Sequence, residues 1–552
     1  MLKTKVPAQE PPCKSACPAG VDVPRYVRFI AEGKFDEALA VIRERLPFPS
    51  VCGRVCVHPC EEKCNCNYLG APIAIRALKR FVAERPGVVI EEEPPDRSTG
   101  RSVAIIGSGP AGLTAAYYLA KLGHSVTVFE SESKPGGALR WAIPRYELPQ
   151  EVVEREINNI LGLGIKLETN RRVEDLEQVR KYFDAIFIAP GLTRGRKLNI
   201  PGADLEGVLI ATEFLKDVNR GKEVKLGNKV LVLGGGGVAL DAARTAVRLG
   251  VSEVHVACVE SKRTMPALPE VIEEGEKEGI IFHPSTYFVE ILGEDYVTGV
   301  KCLKLRWMKY DEDGAIHMDT IPESEHVLEA DSVIFAVGQE LDLGLISDSP
   351  EIKITKRGTI SVDLENMATG LDKVFAGGDA VSGPSSIIEA VATGRKAAIG
   401  IDKYLGGKGD IDTVMAPRGI EWTQTELQGY PVGERVEIPS VPVEERCKDF
   451  KEVEIGYSEE LAIQEAKRCL RCDLPITVDP KNCTGCLTCM MRCSIKFGEI
   501  FSPAIAKVQV IPFSDEKINE ISFSEECDTC GICARYCPHD AIYRGERRKE
   551  EY

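Results

Sequence analysis

The chain lacks what a membrane-spanning protein needs. No stretch of its 552 residues approaches the ~18 to 20 consecutive apolar residues that cross a bilayer. The first residues, MLKTKVPAQEPPCK, contain no apolar core, so no secretory signal is expected. Positive charge is in deficit. A net charge of −16 argues against nucleic acid or an anionic membrane surface as partner. A third absence concerns chemistry. Between residues 101 and 405 there is no C-x-x-C, so the middle of the chain has no dithiol–disulfide exchange centre.

What the chain has is cysteine, twenty residues of it, mostly in ligand-like spacings. Without a secretory signal, that usage favours metal binding in a reducing cytoplasm over a disulfide scaffold. Hydrophobic content of 43% and charged content of 28% are ordinary for a soluble protein. The length exceeds what one core can organise, and three or more domains are expected.

Eight cysteines form two near-copies of one spacing. The first run is Cys483, Cys486, Cys489 and Cys493; the second is Cys527, Cys530, Cys533 and Cys537, followed by Pro538. Such paired runs hold two [4Fe–4S] clusters, the fourth cysteine of each run ligating the other cluster. One site is therefore Cys483, Cys486, Cys489 and Cys537, and the other Cys527, Cys530, Cys533 and Cys493. Structural zinc uses ligand sets of different spacing. Ser494 stands where a Pro usually follows the fourth cysteine, and the 33 residues between Cys493 and Cys527 predict an inserted hairpin.

Along the chain, residues 1–95 read as a helical, cysteine-rich domain, its helical pattern broken near Glu32–Gly33. From 101 onward, apolar β runs alternate with helices, the pattern of doubly wound α/β domains. The reading places one dinucleotide domain at 101–225 and 339–405, around a second at 226–338. A Pro- and charge-rich linker follows at 406–474, then an α+β ferredoxin-like domain at 475–552. The fold class is thus multidomain α/β, with a helical iron–sulfur domain at one end and a ferredoxin-like domain at the other.

The stronger dinucleotide site is VAIIGSGPAGLTAAYYLAKLGHSVTVFE. Gly107 permits a tight turn, Gly109 lets backbone approach a pyrophosphate, and Gly112 allows close helix–strand packing. Pro110 and Ala111 open the helix between them. Glu130 ends the next strand, at the distance expected for a ribose diol. The second site, KVLVLGGGGVALDAARTAVRLGVSEVHVACVE, has Gly234, Gly236 and Ala239 at the fingerprint positions. Glu260 closes its following strand and favours NAD(H) through the 2′-hydroxyl; Lys262 and Arg263 could hold an NADP(H) 2′-phosphate instead. Two sites in one chain suggest FAD and a nicotinamide nucleotide placed to exchange hydride.

Further motifs carry a resemblance. DAIFIAPG, ending in Gly191, and VFAGGD, with Gly378 and Asp379, resemble the motifs by which two-dinucleotide flavoproteins return to their FAD domain. By that resemblance Asp379 would bond the flavin ribityl chain. Together with CPAGVDVPRY, CGRVCVHPCEEKC, APIAIRALKRF and PGGALRWAIPRYELP, which contains Gly137, they make residues 10–405 resemble the glutamate synthase small-subunit family. Its relatives include the N-terminal part of dihydropyrimidine dehydrogenase. The resemblance implies FAD, a nicotinamide nucleotide and N-terminal [4Fe–4S] clusters, four clusters in all with the C-terminal pair.

The chain departs from that family at the N-terminus. The family's C-x-x-C pair ahead of the Cys-Pro is missing, and only Cys13 and Cys17–Pro18 remain. EAKRCLRCD, with Cys469 and Cys472, resembles the missing segment, moved downstream and returning to the N-terminal domain. One cluster would then use Cys13, Cys64, Cys469 and Cys472. A second would use Cys17, Cys56 and Cys60. Lys79 aligns with the family's fourth ligand, a Gln or Glu, and an ammonium offers no lone pair. Cys52 is the expected replacement, with Cys66 the alternative and a three-iron cluster also open. Cys258, Cys302 and Cys447 stand alone and read as packing residues.

The expected function is an NAD(P)H:acceptor oxidoreductase. Hydride would pass between nicotinamide and flavin, and single electrons through the clusters. No proton-transfer residue is named, since the cofactors carry the chemistry. A ferredoxin or a catalytic subunit would be the partner, in a cytoplasmic hetero-oligomer. A glutamate synthase small subunit proper and an electron-relay scaffold without nucleotide activity are the alternatives.

Overall fold

The computed structural model describes residues 5–85, 87, 92–311, 316–417, 434–511 and 518–545. The chain forms two compact units. One gathers Met1–Val88, Asp412–Pro439 and Gly456–Tyr552; the other gathers Val89–Ile411 and Ser440–Ile455. Among the described residues no helix is long and apolar enough to cross a membrane.

The second unit contains two parallel sheets. In the first, the strand order is Val374–Ala376, Ala185–Ile188, Ser102–Ile106, Ser125–Phe129, Lys166–Glu168. Its inner strands are continuous apolar runs because helices cover both faces. The helices Pro110–Lys121 and Ile387–Tyr404 cross closely at Gly394, where a Cβ would lie 2.4 Å from the Ala111 carbonyl oxygen. The second sheet runs Ile281–His283, Glu253–Ala257, Lys229–Leu233, Ser332–Phe335, Val208–Ile210. Its last strand precedes residue 226, where the sequence pattern starts this domain. An antiparallel sheet from Thr286 to Glu329 flanks it. The chain leaves and re-enters the first sheet through a short ribbon, Arg194–Gly195 paired with Gln339–Glu340.

Residues 440–455, part of the linker in the sequence, pack into this unit. Arg446 is buried there and pairs with Glu278 at 3.1 Å and with Glu274. Glu278 caps the C-terminus of the helix Pro269–Lys277, where the helix dipole disfavours an anion. Three arginines offset this. Arg244 and Arg248 each donate two hydrogen bonds to its carboxylate, at 2.7–3.1 Å, beside Arg446.

In the first unit, helices Val23–Ala31 and Phe35–Arg43 are broken at Gly33, whose φ is +71°. The helix Ile75–Ala83 packs on Pro49–Val55 at Gly53, where a Cβ would meet the Arg80 backbone at 2.6 Å. The helix Glu459–Ala466 returns to pack on Val23–Ala31. Buried Glu465 fixes it there, accepting from the amides of Ala74 at 2.8 Å and Val436 at 2.9 Å. Arg468 donates to the carbonyls of Ala71 and Pro72. The C-terminal section is built on an antiparallel sheet in the order Lys5–Val6, Ile476–Val478, Ile542–Arg544. The insertion between the two cysteine runs forms the antiparallel strands Val508–Ile511 and Glu520–Phe523.

Candidate redox centre

The cysteines of the first unit fall into four groups. Cys13 is half-buried, and desolvation together with the thiols of Cys469, Cys472, Cys64 and Cys60 pushes its pKa well up. Burial likewise pushes Cys469 up to about 12, with Cys472 and Cys64 adding to the rise. The returning helix therefore carries Cys469 and Cys472 to Cys13 and Cys64. Cys66 lies in the same place: Cys64, Cys469 and Cys472 are near it, and its thiol donates to the Arg468 carbonyl at 3.7 Å.

The second group centres on Lys79. Its ammonium is buried, and desolvation opposes its charge. The thiols of Cys56, Cys52, Cys60 and Cys17 outweigh that and raise its pKa. Lys79 also donates to the Cys52 carbonyl at 3.4 Å. Cys52 thus stands with Cys17, Cys56 and Cys60, whereas Cys66 stands with the first group.

The C-terminal runs are interleaved. Burial pushes Cys489 up to about 12, with further contributions from Cys537, Cys483 and Cys486. The same four thiols line one small pocket with Leu487, Val510 and Ile542. Pairing of Ile476–Val478 with Ile542–Arg544 draws Cys537 toward the first run. Cys533 is raised by burial and then by Cys530, Cys527 and Cys493. Backbone amides point at several sulfurs: Lys507 at Cys493 (3.2 Å), His58 at Cys56 (3.4 Å) and Arg471 at Cys469 (3.5 Å). Amide–sulfur bonds of this kind tune cluster potentials.

Among the described residues, no three His, Cys, Asp or Glu side chains converge on the position of one metal ion. A cubane cluster asks for something else, thiolates spread over separate irons. Groups of neighbouring thiols, several of them buried, fit it, because coordination deprotonates a thiol and neutralises the crowded charge.

In the second unit both fingerprints are formed. Gly107 has φ +103°, and a Cβ there would lie 2.3 Å from the Ala189 carbonyl oxygen; at Gly112 it would meet the Gly107 oxygen at 2.0 Å. A Cβ at Gly109 would meet nothing within 4 Å, which leaves room for a pyrophosphate at the start of the helix Pro110–Lys121. Glu130 is buried and accepts from the Ser108 amide at 3.1 Å and from the Ser108 hydroxyl. The strands that lead into Gly191 and Gly378 pair in parallel, so both motifs open at the same C-terminal end of the strands. Gly137 has φ +52°, and a Cβ on it would lie 2.9 Å from the Gly109 Cα. Asp379 accepts from the Ser385 hydroxyl at 2.6 Å, and burial raises its pKa.

The second fingerprint repeats the pattern. A Cβ at Gly234 would lie 2.3 Å from the Ala336 oxygen, while Gly236 faces open space and Ala239 is buried. Glu260 is 8% exposed, with its carboxylate against Gly235. Lys262 is exposed and paired with Glu276 at 2.5 Å, and Arg263 is exposed. Cys258 and Cys302 are buried and free, as packing residues are.

The fold and its two fingerprints define an FAD-dependent NAD(P)H oxidoreductase with iron–sulfur domains at both ends. The comparisons agree. Residues 101–394 match the pyridine nucleotide-disulphide oxidoreductase family. Residues 6–87 match the dihydropyrimidine dehydrogenase domain II 4Fe-4S family, and 475–538 the 4Fe-4S dicluster domain. The chain is 38% identical over 498 residues to the NADP(+)-dependent formate dehydrogenase subunit beta of Moorella thermoacetica, covering 84% of this chain and 70% of that one. It is 33% identical over 502 residues to the NADPH-Fe(3+) oxidoreductase subunit beta of Geobacter sulfurreducens, with 84% and 75% covered. It is 31% identical over 427 residues to the glutamate synthase [NADPH] small chain of Azospirillum brasilense, with 74% and 89% covered. The chain belongs to the glutamate synthase small-subunit-like family of pyridine nucleotide flavoproteins.

Proposed function

We propose that this chain is the nucleotide-oxidising subunit of a cytoplasmic redox complex, exchanging electrons between a nicotinamide nucleotide and a partner catalytic subunit or ferredoxin. The flavin supplies the conversion between hydride and single electrons. The protein's own part is placement. Gly107, Gly109 and Gly112 shape the pyrophosphate cradle, Glu130 meets a ribose, and Asp379 holds the ribityl chain. The four thiol groups hold four clusters: Cys13, Cys64, Cys469 and Cys472; Cys17, Cys52, Cys56 and Cys60; Cys483, Cys486, Cys489 and Cys537; Cys493, Cys527, Cys530 and Cys533. The observation that carries this reading is that these sixteen cysteines, with Cys66 as a seventeenth, belong to one compact unit, where thiols from distant parts of the chain neighbour one another. The three relatives named above are subunits by name, which supports a hetero-oligomer.

For the nucleotide, buried Glu260 favours NADH. A 2′-phosphate beside it would set two anions together with little water between them. NADPH is the second reading, favoured by the relatives' names and by exposed Arg263 as a phosphate partner. Anaerobic titration with NADH and, separately, NADPH decides, following flavin absorbance near 450 nm and cluster paramagnetic resonance. Flavin bleaching by NADH followed by cluster reduction is expected. Bleaching by NADPH alone would reassign the nucleotide, and no bleaching with either would leave only an electron relay.

A further inference from the structure

Two cysteine groups from opposite ends of the sequence meet within the first unit. Sγ of Cys472 lies 3.5 Å from the carbonyl oxygen of Cys530. Asn65 Nδ2 donates to Sγ of Cys472 at 3.3 Å, and Asn65 Oδ1 accepts from Lys496 Nζ at 2.8 Å. Lys496 also pairs with Asp528, next to Cys527. Its side chain is only 5% exposed, and its ammonium lies over the rings of Tyr68 at 4.9 Å and Phe497 at 5.6 Å. Arg544 closes the same seam, donating to the carbonyls of Leu474 and Thr529. The remaining C-terminal group includes exposed Cys486.

We propose that Lys496 is a positioning and tuning residue that makes the cluster of Cys493, Cys527, Cys530 and Cys533 the inner one of the C-terminal pair. It raises that cluster's potential and couples it, through Asn65, to the cluster of Cys13, Cys64, Cys469 and Cys472. The inference rests on the functional reading above. Reduction adds one electron and one negative charge to a cluster. A buried cation nearby stabilises the reduced form, and with little water to screen it the effect is large. An exposed lysine would act far less. The cluster of Cys483, Cys486, Cys489 and Cys537 is then the outer one, facing the acceptor.

The test is a redox titration of the full chain by electron paramagnetic resonance, with iron analysis alongside. In Lys496→Gln one reduction wave should move to lower potential by a tenfold change in its equilibrium or more, which is 59 mV for one electron. The other waves should stay, iron content should hold, and Lys496→Arg should keep the wild-type potential. Unmoved waves in Lys496→Gln with full iron would overturn the inference. If Lys496→Gln loses iron, Asp528→Asn decides. Removing that anion should raise the same wave, and no rise would overturn the proposal. A wild-type chain without iron would overturn the functional reading itself.

Discussion

Single atoms separate two glycines that the sequence treats alike. A methyl on Gly112 would collide with the Gly107 carbonyl oxygen, whereas a methyl on Gly109 would stand in open space. Gly112→Ala should therefore cost about 1–3 kcal/mol, as overpacking does, and lose flavin as a consequence. Gly109→Ala should match the melting temperature of the flavin-free wild type yet bind FAD poorly, because the methyl fills the pyrophosphate's place. Thermal melting and flavin absorbance on both variants check the pair. At Cys469 the expected outcome concerns metal. Cys469→Ser should cost the iron of one cluster and bleach its absorbance, leaving the C-terminal pair; unchanged iron would remove Cys469 from the ligand set.

At the scale of elements, the charge cluster on the helix Pro269–Lys277 holds residues 440–455 to the dinucleotide unit. Burial raises the pKa of Glu278, but hydrogen bonds from Arg248 and Arg244 outweigh it and hold the carboxyl at about 2. A depressed carboxylate stabilises the fold above its unfolded value of about 4.3 and loses that contribution as pH falls toward 2. Glu278→Gln leaves buried Arg248 without its carboxylate, while Arg244 keeps Glu147 and Arg446 keeps Glu274, and should cost about 3–5 kcal/mol at neutral pH. Melting curves from pH 6 to pH 3 should show the wild-type advantage over this variant shrinking as acid is added. A gap independent of pH would mean that packing, not charge, holds the segment.

For the whole molecule, the net charge of −16 suits docking to a basic patch on a partner. Partner reduction should slow as salt rises, because the Debye length falls from about 10 Å at 0.1 M to 3 Å at 1 M. Stopped-flow rates across that range would show it, while nucleotide-driven flavin reduction should change little. A partner-reduction rate flat in salt would point to an apolar docking surface.

The sequence by itself determined the local chemistry. Cysteine spacing, the glycine turns at Gly107–Gly112 and Gly234–Ala239, and their terminal acids are short-range patterns, legible because a turn or a ligand run needs fixed residues at fixed offsets. The displaced Cys469–Cys472 pair was legible only by resemblance. Tertiary structure decided what lies far apart in the chain. Cys52 rather than Cys66 joins Cys17, Cys56 and Cys60, because the crossing at Gly53 lays the helix of Cys52 against that of Lys79. Residues 440–455 join the dinucleotide unit through an ion-pair cluster that no linear motif announces. Asn65 and Lys496 meet across 431 residues, and neither carries a motif, since a single amide and a single lysine gain meaning only from what folding sets beside them.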